Sequence, residues 1–144
     1  MKKKLLIALL IFLFVWTPAL AGVGDIISKG KLSGSTDGKA IKITGSDTAG
    51  AVVVHTAVAG TTNFDEIWLW AYLAATSAAA VYIEWGTHAD ADDLITKTIP
   101  LDDGLYLLIP GLVLQNGMTV EIFTGASAVD KVFIFGYVHH LTGG

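Results

Sequence analysis

The stretch Phe64-Asp65-Glu66-Ile67-Trp68-Leu69-Trp70-Ala71-Tyr72-Leu73 decides the fold class of this chain. Taken with a period of two, it sets Ile67, Leu69, Ala71 and Leu73 on one face and Glu66, Trp68, Trp70 and Tyr72 on the other. Both faces are largely apolar. A strand with water on one side has no use for two tryptophans and a tyrosine there, so the pattern predicts cover on both sides.

The last apolar run repeats the arrangement, with Val132, Ile134, Gly136 and Val138 on one side and Phe133, Phe135, Tyr137 and His139 on the other. Laid in one sheet with their aliphatic faces inward, the two strands join Trp68, Trp70, Tyr72, Phe133, Phe135 and Tyr137 into one apolar patch of the kind that marks an interaction site. Three readings of that patch stay open: cover by the chain's own loops or N-terminal segment, burial against identical copies, or a ligand platform. Trp68, Trp70 and Tyr72 stand about 6.5 to 7 Å apart along a strand, a spacing that suits sugar rings, and Glu66 can accept hydroxyl protons. The face offers few other polar partners for a glycan.

Outward from this stretch the chain is a series of short strands separated by turn residues, which predicts an all-β, antiparallel two-layer sandwich of about eight strands with jelly-roll connections. The strands expected are residues 40–44, 51–58, 64–73, 78–85, 94–99, 105–109, 112–114, 118–123 and 131–141. Pro110-Gly111 is read as a break. Asn116-Gly117 is the strongest hairpin signal, because a type I′ turn needs positive φ at both central residues. The alanine-rich 74–80 segment is too short for a helix and is read as a turn region.

The 144 residues allow one domain. Lys2, Lys3 and Lys4 precede an unbroken apolar run from Leu5 to Trp16, and Ala19-Leu20-Ala21 matches a small-x-small cleavage site. Residues 1–21 are therefore read as a signal peptide, 22–38 as a flexible Gly/Ser/Lys-rich arm and 39–144 as the sandwich, with an exported location and no membrane contact after cleavage. An uncleaved anchor is the alternative, since Leu5 to Ala21 reaches the lower limit of about 17 residues for a spanning helix. The formal charge is −4, there is no arginine, and a cleaved leader removes three of the nine lysines. Such a chain repels phosphate backbones, so nucleic acid is not an expected partner. Without cysteine no disulfide staples the fold, and burial alone must hold it.

Chemistry-bearing patterns are sparse. Asp90, Asp92 and Asp93, with His88, offer oxygen and nitrogen donors in one loop, but their spacing matches no defined calcium loop, so a solvated acidic loop is the plainer reading and no cofactor is expected. His139 and His140 are adjacent on a strand and leave by opposite faces, which keeps them from sharing a metal. His55 is read as a half-buried, satisfied histidine. No nucleophile elbow, phosphate-cradling loop or zincin helix is present, and only Glu66, Glu84 and Glu121 offer candidate carboxylates for glycoside hydrolysis, so catalysis is not expected.

From about Ala51 onward the chain resembles the small β-sandwich virion proteins encoded among the structural genes of tailed phages and related uncultured viruses. The residues concerned are Val54-His55-Thr56-Ala57, Asp65-Glu66-Ile67-Trp68-Leu69-Trp70-Ala71, Ile83-Glu84-Trp85-Gly86 and Ile109-Pro110-Gly111-Leu112-Val113-Leu114-Gln115-Asn116-Gly117. The resemblance implies a non-catalytic, self-associating decoration or tail-associated module, with itself, a glycan, or a cell or virion surface as partner. The leader departs from it, which leaves either a cell-encoded relative displayed outside the membrane or a likeness of fold alone. N-terminal sequencing of the exported protein is expected to begin at Gly22; a chain that still begins at Met1 contradicts cleavage.

Overall fold

The computed structural model describes residues 26–86, 94–101 and 104–142. Among the described residues nine strands run in the order β1 (Ile26–Lys31), β2 (Ile41–Ile43), β3 (Val52–Thr56), β4 (Asn63–Leu73), β5 (Ala79–Trp85), β6 (Leu94–Ile99), β7 (Tyr106–Leu114), β8 (Thr119–Thr124) and β9 (Val132–Thr142). All pairings are antiparallel and fall into two sheets, β1-β9-β4-β7 with β2 also on β9, and β3-β8-β5-β6. First strand beside last, with every connection but β1–β2 and β5–β6 leading from one sheet to the other, is a jelly-roll order. The expected all-β sandwich is therefore the observed fold.

Period-two alternation fills the space between the sheets. Ile67, Leu69 and Ala71 of β4 and Val132, Ile134 and Val138 of β9 meet Val81, Ile83, Val120 and Ile122 from the opposite sheet, all fully buried. Branched aliphatic side chains dominate because they pack well on a pleated surface and lose little rotamer freedom there.

Three local features differ from the sequence reading. Residues 26–31 lie in the segment read as a flexible arm, yet they pair with β9 from Ile26 opposite Thr142 to Lys31 opposite Tyr137. β1 and β2 are one strand position interrupted: residues 32–40 leave the sheet while β9 advances only past Phe135 and Gly136. Leu32, the first residue of this excursion, turns into the core and is 1% exposed. Gly136 makes room for it, since a Cβ there would stand 2.3 Å from the Trp68 carbonyl oxygen and 2.9 Å from Leu32 Cδ1.

Pro110-Gly111 does not end a strand. β7 continues through it with two register shifts against β4, leaving Gly111 and Leu108 as extra residues. Gly111 takes φ of 82°, which only glycine adopts freely, and the shift at Leu108 lets consecutive Leu108 and Ile109 both face the core. β7 is an edge strand, with no partner on one side, which is where a sheet tolerates proline.

Asn116 and Gly117 have φ of 58° and 69°, as the turn chemistry requires, and Met118 N–H donates to Gln115 O at 3.1 Å. The strands joined, β7 and β8, lie in opposite sheets and do not pair, so the expected hairpin is a sheet-crossing turn. The turn docks on the β3–β4 connection, with Asn116 N–H to Gly60 O and Gly117 N–H to Val58 O. Replacing Gly136 by alanine forces this Cβ onto backbone and onto Leu32; urea unfolding should show a loss of about 1–3 kcal/mol, and an unchanged midpoint would contradict the packing described.

Candidate functional site: the outer face of the large sheet

The register of β4 on β9 fixes what the outer face presents. Tyr72 stands opposite Phe133, Trp70 opposite Phe135, Trp68 opposite Tyr137 and Glu66 opposite His139. All six aromatic residues singled out in the sequence thus share one face. Trp68, Trp70, Tyr72, Phe133 and Tyr137 make cross-strand ring contacts there, with centroids 6.4 Å apart for Trp68–Tyr137, 5.8 Å for Trp70–Tyr137 and 6.4 Å for Tyr72–Phe133. Trp68 and Trp70 on the same strand lie 6.3 Å apart and nearly parallel. Tyr72 and Phe135 remain 45% and 37% exposed, so no described segment covers the patch.

Neighbouring strands extend it in ways the sequence did not reveal. On the β7 side Leu107, Pro110 and Val113 stand opposite Trp70, Trp68 and Glu66, adding an apolar flank with Leu107 and Val113 exposed. On the other side β1 and β2 bring Lys29, Lys31 and Lys42 opposite His139, Tyr137 and Phe133. The Lys29 ammonium sits 3.7 Å from the Tyr137 ring centroid, a cation–π contact, and Lys42 pairs with Asp130 at 2.9 Å. At one end the Trp68 indole N–H donates to Glu66 Oε1 at 3.0 Å, and His139 Nδ1 lies 3.4 Å from Glu66 Oε2. Gly111 lets this carboxylate approach, because a Cβ there would stand 2.6 Å from Glu66 Oε1. Pairings across an interrupted first strand and a bulged edge strand are long-range, and no short sequence pattern encodes them.

A second polar cluster lies at one end of the core. His139 faces outward to Glu66 while His140 faces inward, as adjacent strand residues must. His140 Nδ1 donates to Asp65 Oδ1 at 2.6 Å, and Asp65 Oδ2 accepts from His55 Nε2 at 3.0 Å and from Val58 N–H at 3.0 Å. Asp65 and His55, only 1% and 2% exposed, lie deeper than the half-burial expected for His55. Ser33 N–H donates to His55 Nδ1 at 3.2 Å, which fixes the imidazole as the neutral tautomer protonated on Nε2. With both ring nitrogens engaged, His55 is not free to act as a general base. Burial pushes the His55 pKa down, only partly offset by the hydrogen bond and charge of Asp65. Burial works to raise the Asp65 carboxyl, but hydrogen bonds from His140, His55 and the Val58 amide hold it below its ordinary value.

The remaining carboxylates separate. Glu84 and Glu121 stand opposite each other on β5 and β8, beside the stacked Tyr82–Phe123 pair on the outer face of the small sheet, whereas Glu66 is on the far side of the sandwich. Among the described residues no group of three or more His, Asp or Glu is arranged to hold a metal ion. Asp90, Asp92 and Asp93 lie outside the described residues, as does the expected signal peptide. No known protein family, curated protein or solved structure matches the chain, so the functional reading rests on this geometry alone.

Both shifts stabilise the fold at neutral pH. The His55 contribution is present above its unfolded pKa of about 6.5 and is lost as pH falls through the lower folded value; that of Asp65 follows the same course from its unfolded value near 3.9 downward. Urea midpoints should therefore decline as pH falls from neutrality, and Asp65→Asn, which leaves one buried donor without an acceptor, should cost about 1–3 kcal/mol at neutral pH. Midpoints that rise on acidification would contradict this assignment.

Proposed function

We propose that this chain is a non-catalytic assembly protein, exported and built to pack the aromatic face of its large sheet against further copies of itself, as small virion structural proteins do. The observation that carries the reading is the continuous outer face of Trp68, Trp70, Tyr72, Phe133, Phe135 and Tyr137 with no described segment over it. Jelly rolls serve in viral capsids and in lectins alike, so fold alone supports either use.

Two further features favour a second copy as occupant. The patch carries its own charge complement, lysines along the β1 and β2 flank and Glu66 near the opposite flank, so that two copies can satisfy each other. The sheet edges, by contrast, carry devices that resist pairing: Pro110 and two bulges on β7, a bulge in β3, Lys97 on the core-facing side of β6 and Lys29 and Lys31 on β1. Association is thereby steered from edge to face.

A glycan platform is the competing use of the same rings. Against it, the Lys29 ammonium occupies one face of Tyr137, and Glu66, its natural hydroxyl acceptor, already binds the Trp68 indole and lies beside His139.

The test is a pair of single substitutions, Trp70→Lys and Phe135→Glu, read by sedimentation. Both positions lie outside the core, so the fold should persist while association weakens by about 2 kcal/mol or more, the cost typical of a central aromatic anchor. Assemblies of unchanged mass in both variants would refute the face as the interface, and tryptophan quenching by a polysaccharide would favour the lectin use instead.

A further inference from the structure

We propose that a proton on His55 unseats the loop at residues 32–35 and with it frees β1 from β9, opening the N-terminal edge of the large sheet in acid while the rest of the sandwich stays folded. The loop is seated on β3 by three bonds: Ser33 N–H to His55 Nδ1 at 3.2 Å, Thr56 N–H to Ser33 Oγ at 2.7 Å and Gly34 N–H to Val54 O at 3.0 Å. It inserts Leu32 into the core above Gly136 and closes on itself through Ser35 Oγ to Lys39 O at 2.6 Å. β1 itself buries little. Ile27, Ser28, Lys29 and Lys31 are exposed, so beyond its backbone pairing with β9 and the Lys29 contact on Tyr137 the strand depends on the loop that follows it.

A second proton on His55 has one place to go. Nε2 already carries the hydrogen donated to Asp65, so the proton lands on Nδ1, where Ser33 N–H points. Two donors then face each other inside the protein, and the loop must withdraw.

The charges around the ring decide the balance. Asp65 from β4 favours the imidazolium, but its carboxylate is also shared with His140 of β9 and with the Val58 amide. β8 contributes only uncharged Val120 opposite His55. Lys31 at the root of the loop donates to Ser35 O at 2.8 Å, and His140, when charged, is the like charge that opposes a cation on the ring. Withdrawal of the loop hydrates the ring and removes the opposing amide while leaving the Asp65 bond intact, so the open state binds the proton more tightly than the closed one. The same linkage makes acid the trigger. This device does not depend on whether the aromatic face meets a second copy.

Hydrogen exchange of the exported protein, corrected for intrinsic rates and followed from about pH 7.5 to about pH 5, across the range where imidazoles titrate, tests it. Amides of β1 and of the 32–35 loop should lose protection by up to about tenfold per pH unit while one proton is taken up, with those of β4 and β5 unmoved. His55→Gln, whose carbonyl can accept from Ser33 and whose amide can donate to Asp65 without titrating, should keep β1 protected throughout. Equal β1 protection at both ends of the range, or the same loss in His55→Gln, overturns the proposal. Should that variant not fold, the His55 ring titration followed by NMR in the wild type must share its midpoint with β1 release, and separate midpoints overturn it equally.

Discussion

The eleven-pair ladder between β4 and β9 is the constraint on which the rest depends. It joins two distant parts of the chain at the centre of the large sheet, and its register sorts side chains into two classes at once. Ile67, Leu69, Ala71, Val132, Ile134 and Val138 go inward to form half the core, and every aromatic partner goes outward. A slip of one residue would bury the tryptophans in a space sized for branched aliphatics and expose the aliphatics, so the core fixes the register and the register builds the outer face. Any use the protein makes of that face is therefore inherited from how it folds.

The same ladder places a fully buried carboxylate. Asp65 lies near the end of β4 on the inward side, where β9 delivers His140 and the opposite sheet delivers His55. A lone carboxylate at such a depth would be costly; three donors make it tolerable and tie both sheets and the first loop to one point. Specific register at the sandwich end, where aliphatic packing thins out, is a natural use for such a cluster.

Alternation alone was enough to read the sandwich and the shared aromatic face, because β4 and β9 are long and each switches residue class at every step. Where the sequence misled, the deciding contact was distant. Nothing local to Leu32 says that it fills the space left by Gly136, more than a hundred residues away, so 22–38 passed for an arm. Pro110-Gly111 reads as a break until the bulge it forms against Trp68 and Ile67 is known. Asn116-Gly117 correctly specified a turn, but turn chemistry does not choose which strands then pair; burial does. His55 and Asp65 were visible as residues, yet their connection through Ser33, Val58 and His140 depends on three separate elements converging.

The central claim is that the aromatic face of the large sheet meets another copy. Light scattering of the purified wild-type protein over a wide concentration range, with the intact mass of the chain determined on the same sample, tests it most directly. The account predicts a defined oligomer or a growing polymer whose mass is a multiple of the chain's. A single-chain mass at every concentration would contradict it.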